Sequence, residues 1–269
     1  MRIDGRSGFR ALPALVAIAM LAGCAADGVA KRSAPTPEEE SNQHAASLQV
    51  KLGQGYLAQG ELETARDKLQ RALELDPTSV DANTVMAVLQ ERIGRHEVAE
   101  VHYRRAVKLK PDGGAVNNNL GTFLCGLGRY DEAQKHFAEA VKDPFYRTPT
   151  VAYANSGFCA QKQGDLALAE RSLRSALELD PGNALALFEL ARLSLQGGDP
   201  MRARAFLQRF EAIAGVEAAA LALGAEVESR LGDTDAAERY QRLLQDKFPG
   251  FDAASVLPAA VEAESPSIQ

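Results

Sequence analysis

The chain has no tryptophan, only 6% aromatic residues, three cysteines and four histidines. Each shortage excludes something. Scarce aromatics and few alternating runs of Val, Ile or Thr remove the usual signature of half-buried strands, so a sheet is not indicated. His44, His96, His102 and His136 show no metal-ligand spacing with one another or with a cysteine, and no metal centre is indicated. His96 and His102 read as solvated surface. No glycine-rich phosphate loop follows a strand and no nucleophile elbow occurs, so the sequence offers no catalytic apparatus, cofactor or small-molecule substrate. Positive charge is short as well. The net charge is −6, and the first 23 residues hold Arg2, Arg6 and Arg10 against Asp4, leaving −8 on the rest. Nucleic-acid phosphates require clustered Lys and Arg, and that footprint is missing.

Hydrophobic residues nonetheless make up 46% of the 269 residues, mostly Ala and Leu. These lose little side-chain freedom in a helix, which points to an all-α chain with a sizeable core. Glycines recur at 60, 94, 128, 164, 198 and 232, at intervals of 34, 34, 36, 34 and 34. An alanine follows each by five residues: Ala65, Ala99, Ala133, Ala169, Ala203 and Ala237. That period and pattern are those of tetratricopeptide (TPR) repeats. Each glycine should end the first helix of a pair, and each alanine should lie where the two helices cross. Leu69, Tyr103, Phe137, Leu173 and Leu207 follow four residues later, then Ala72, Ala106, Ala140 and Ala176 continue the packing stripe.

Six repeats are expected at 46–79, 80–113, 114–147, 150–183, 184–217 and 218–251, stacked as a right-handed superhelical solenoid. The two extra residues fall in Asp143–Pro149, a longer turn with exposed aromatics. Repeats two and six carry Ala87 and Ala225 where Gly53, Gly121 and Gly157 stand in others; repeat five has Phe210 for the usual alanine and Gly215 for the usual proline. The first helices should line a concave groove able to receive a partner. Its expected lining is Val50, Gln54, Leu57, Thr84, Val88, Asn118, Thr122, Phe158, Gln161, Phe188 and Arg192, the alternative for the apolar members being packing between helices. Cys125 and Cys159 fall at similar heights on neighbouring first helices. They form either a disulfide or two buried free thiols.

Residues 1–23 read as an export signal, with a basic start and a short apolar stretch from Ala11 to Ala22. About 20 residues are needed to span a bilayer, so a transmembrane anchor is the weaker reading. Leu21-Ala22-Gly23-Cys24 resembles the lipobox of bacterial lipoproteins, which implies lipid attachment on Cys24; the alternative is an ordinary signal peptide. Ala25, in place of the aspartate typical of inner-membrane retention, implies delivery to the outer membrane, facing the periplasm. Residues 24–45, polar and proline-containing, read as a flexible tether, and 252–269 as a frayed tail.

Six repeats behind a lipobox resemble the type IV pilus biogenesis and stability lipoprotein family, PilW or PilF. The likeness is carried by Asn117-Asn118-Asn119-Leu120-Gly121-Thr122-Phe123-Leu124-Cys125, by Gly128-Arg129-Tyr130, and by Tyr153-Ala154-Asn155-Ser156-Gly157-Phe158-Cys159. The resemblance implies a non-enzymatic pilotin. Such a protein binds PilQ-like subunits of the type IV pilus secretin, brings them to the outer membrane and promotes their multimerisation, supporting twitching motility. The alternative is a periplasmic TPR lipoprotein scaffold for another envelope-assembly complex, such as cell-wall synthesis or outer-membrane protein insertion.

Overall fold

The computed structural model describes residues 34–257, and these are helical throughout, with no strand among them. Twelve α-helices follow in chain order: α1 Pro37–Gln59, α2 Leu62–Leu75, α3 Val80–Arg92, α4 His96–Leu109, α5 Gly114–Gly126, α6 Tyr130–Ala140, α7 Pro149–Gln163, α8 Leu166–Leu179, α9 Ala184–Gln196, α10 Pro200–Ala214, α11 Ala218–Leu231 and α12 Thr234–Lys247, with a 3₁₀ turn at Ala253–Ser255. Each odd helix packs on the even helix after it. Each pair then packs on the next, so contacts are local in sequence and the core is a continuous strip.

The packing of each pair rests on the residues at the helix crossing. Ala65, Ala99, Ala133, Ala169, Ala203 and Ala237 are all buried. A bulky residue of the second helix enters a notch in the first. A Cβ added at Gly53 would stand 2.8 Å from Leu69, one at Gly121 2.8 Å from Phe137, and one at Gly157 2.5 Å from Leu173. Those separations are below van der Waals contact, so the helices could not approach so closely around a larger residue. In repeat six the notch moves by one position: Gly224 faces Tyr240, whose ring would lie 2.7 Å from a Cβ there. In repeat two Ala87 takes the position without exposure, and Tyr103 lies against Phe123 of the next repeat, ring centroids 5.1 Å apart. In repeat five Phe210 is buried and stacks with Phe188 at 5.3 Å.

The repeat glycines have φ between 75° and 89°, as at Gly60, whose left-handed backbone lets its N–H reach the Leu57 and Tyr56 carbonyls. Asp76 and Asp180, each followed by a proline, close α2 and α8.

Two expectations fail at the ends of the array. The expected tether of 24–45 is helical from Pro37. Thr36 caps that helix: its Oγ accepts from the Glu39 N–H at 3.2 Å, and the Glu39 carboxylate accepts from the Thr36 N–H at 2.7 Å. Proline at the first helical position and three glutamates in the first turn suit the N-terminal end of a helix. The expected frayed tail is ordered through Leu257, which packs on the core of repeats five and six. Residues 1–33, with the export signal and Cys24, and residues 258–269 lie outside the described residues. Among the described residues, no helix is long and apolar enough to cross a membrane.

The irregular turn between repeats three and four is fixed by two interactions. Asp143 accepts from the Gly114 N–H at 2.8 Å and from the Phe145 N–H at 2.9 Å, and these donors hold its carboxyl below the usual range. Tyr146 folds over Gly114, where a Cβ would stand 2.5 Å from its ring. Phe145 is 89% exposed, as expected of this turn, whereas Tyr146 is half-buried.

His102 is not solvated surface as the sequence suggested; it is half-buried, and its Nδ1 lies 3.1 Å from Asn83 Oδ1. One repeat later His136 Nδ1 lies 2.9 Å from Asn117 Oδ1. Asn83 and Asn117 donate their amide N–H groups to backbone carbonyls at the start of the first helix, so their oxygens accept and each histidine carries its proton on Nδ1. The pair pins the first helix to the second in both repeats. Burial lowers the pKa of both histidines from 6.5, with Arg104 adding to the effect at His136 against Glu132 and Glu139. A lowered folded-state pKa means stability is fully present above the unfolded value and is lost as pH falls. Melting temperature should therefore drop from pH 7.5 to 5.5, and a His102→Gln, His136→Gln double variant should drop less. An equal drop in both proteins would show that these groups do not drive it.

Candidate partner-binding groove

The first helices neighbour one another along the array, α1 with α3, α5 with α7, α7 with α9 and α9 with α11. Their outward positions form one face, and the structure divides the expected lining residues into three groups. Val50 and Leu57 are buried in the core of repeats one and two, together with Leu69 and Val85, so they hold helices together and do not line the groove. Their position on α1 turns them toward α2 and α3.

Gln54, Val88 and Thr122 are exposed on the groove face, and Thr84 is half-buried with its hydroxyl donated to the Val80 carbonyl. Asn118 is largely buried, contrary to expectation, because it bonds across the repeat boundary. Asn155 of α7 donates to Asn118 Oδ1 at 3.0 Å and to Thr122 Oγ1 at 3.2 Å. Asn155 is a residue the lining prediction missed, although the asparagine run 117–119 on the facing helix was a visible signal. A second polar link runs beneath: Ser156 donates to Gln134 Oε1 at 2.6 Å, and Gln134 donates back to the Ser156 carbonyl at 2.9 Å.

Repeats four and five carry the aromatic part of the groove. Phe158 is half-buried, and Lys162, one turn on, places its ammonium 4.9 Å from the ring centroid. Val151 and Leu185 are each 39% exposed at the mouth of α7 and α9. Gln161 is half-buried, and its Oε1 has no hydrogen-bond partner among the described residues. Arg192 pairs with Glu189 at 2.8 Å. The Glu189 carboxylate is buried, and burial raises its pKa against the pull of Arg192 and Lys162. The 2.8 Å contact with Glu189 holds the Arg192 guanidinium in place. Arg192 does not face open solvent, however, because the Val256 carbonyl of the same chain accepts from its Nε, and Phe188 and Leu257 pack against the same core.

Cys125 and Cys159 sit together, with Cα atoms 5.8 Å apart and the sulfurs at bonding distance, 34 residues apart in sequence. The pair joins the C-terminal parts of α5 and α7, the first helices on either side of the irregular turn. Among the described residues no group of three or more His, Cys, Asp or Glu is placed to hold a metal ion. The arrangement offers apolar and amide contacts on a long face, which is how a partner chain is held by shape.

Residues 50–114 and 160–227 match the tetratricopeptide repeat family. The chain is 30% identical over 230 residues to the type IV pilus assembly protein PilF of Pseudomonas aeruginosa, across 86% of this chain and 90% of that protein. It superposes on the crystal structure of PilW, a widely conserved type IV pilus biogenesis factor, with a TM-score of 0.73 at 32% identity, covering 78% of this chain and 96% of that one. A structure of Pseudomonas aeruginosa PilF gives a TM-score of 0.72 at 29% identity, covering 80% and 97%. The chain therefore belongs to the PilF and PilW family of TPR type IV pilus biogenesis proteins.

Proposed function

We infer that this protein is a pilotin: a non-enzymatic outer-membrane lipoprotein, anchored through Cys24, that binds subunits of the type IV pilus secretin and promotes their multimerisation. The observation that carries this reading is the likeness to a type IV pilus assembly protein across 90% of that protein's length. The groove supports it. A secretin subunit crossing the periplasm presents unassembled chain, and the exposed polar face of repeats one to three with the aromatic face of repeat four can hold such a segment without chemistry on it. Each buried acyl methylene contributes about 0.8 kcal/mol, so several chains on Cys24 would make the attachment lasting.

Oxidation of Cys125 and Cys159 belongs to the same reading, since disulfides persist in the periplasm. The bridge would hold the first helices of repeats three and four together where the repeat spacing is irregular.

Three measurements test this. A deletion strain should lose heat-resistant secretin multimers on blots of unheated outer membranes. Wild-type protein should restore them, and a Cys24→Ser protein should restore them poorly and take up no labelled palmitate. Normal multimers in the deletion strain would rule out the pilotin role. For the bridge, alkylation of the denatured, unreduced protein should leave Cys125 and Cys159 unlabelled, and labelling of both would exclude it.

A further inference from the structure

The groove of repeat five is occupied by the chain itself. Beyond α12 the backbone reverses at Gly250, at φ 87°, and forms the short turn Ala253–Ser255 beside α11. Asp252 organises that turn: its carboxylate accepts from the Ala254 N–H at 3.1 Å and its carbonyl from the Ser255 hydroxyl at 2.6 Å. The turn aims the Val256 carbonyl at Arg192, whose Nε donates to it at 2.9 Å across 64 residues of sequence. Leu257 then packs, as Phe188 does, against the core that includes Leu187, Ala191 and Leu223.

These contacts have the form of peptide recognition. One guanidinium reads a backbone carbonyl, which any residue supplies, and one apolar recess takes an aliphatic side chain. Asp252, Ala254 and Ser255 remain exposed, so much of the segment stays open to solvent. Arg192 is preset by Glu189 and keeps N–H groups beyond the one given to Val256. A tethered segment acts at an effective concentration of about millimolar, enough to fill a weak site continuously.

We propose that the face formed by Phe188, Arg192 and the recess under Leu257 is a peptide-binding site, and that residues 252–257 are its built-in competitor. The external ligand is a partner segment with a short turn followed by an aliphatic residue, its backbone carbonyl facing Arg192. Binding such a segment requires release of the chain's own. The effect is to weaken casual capture of apolar peptides, since a partner must exceed the tethered copy. The inference is independent of whether the partner is a secretin.

The probe is a fluorescent, C-terminally amidated peptide of residues 250–257 added to the full chain in detergent and followed by anisotropy. Leu257→Asp should free the site, and the peptide should bind this variant at least tenfold more tightly than wild type. Adding Arg192→Ala to that variant should remove the gain. Equal binding to wild type and Leu257→Asp, or a gain that survives Arg192→Ala, would overturn the proposal. Circular dichroism checks that the variants fold. Should Leu257→Asp unfold, wild-type protein in millimolar unlabelled peptide serves instead: amide exchange at residues 254–257 should accelerate, and unchanged exchange would overturn the proposal equally.

Discussion

The close crossing of two helices over a residue with little or no side chain is the constraint on which the rest depends. Where Gly121 admits Phe137 and Gly157 admits Leu173, the two helices of a repeat approach until backbone meets side chain. That approach fixes how each pair presents itself to the next, and six repetitions turn a local contact into a long curved face. Each crossing also buries its alanine, and in the first five repeats the bulky residue with it, so the core strip is built from contacts local in sequence. Repeat six shows that the constraint is on shape more than on position. It has lost the glycine at the usual place and uses Gly224 against Tyr240 instead.

This is why the body of the fold was legible in the sequence. A notch and its filler are specific residue types at fixed spacing, and a glycine with positive φ marks each helix end. The ends of the array were less legible. Thr36-Pro37-Glu38-Glu39 reads as a linker because proline and charge suggest one, yet the same four residues form a capping box with proline at the first helical position. The start of the tail, residues 252–257, is illegible for the opposite reason. Its ordering depends on Arg192, 64 residues away, and no local pattern encodes such a contact.

The groove was legible in part. Repeat position says which residues face outward, and Gln54, Val88 and Thr122 obey it. Position does not say how far a side chain sinks, so Val50 and Leu57 went to the core and Asn118 into a cross-repeat amide pair with Asn155. The histidine pins at 102 and 136 went unnoticed because their asparagine partners lie 19 residues upstream, outside any motif. The cysteine pair was legible from position: both residues fall near the ends of neighbouring first helices, at similar height, although their separation of 34 is two short of the local repeat interval.

Under the proposed function, the concave face of the first helices receives the secretin. Photo-crosslinking in living cells tests it most directly. A benzophenone amino acid at Gln54 or Thr122, both exposed on that face, should form an adduct that secretin antibodies recognise, while one at Gln70 or Lys135, exposed on second helices, should not. Adducts arising only from Gln70 or Lys135, or from no position, would contradict the claim.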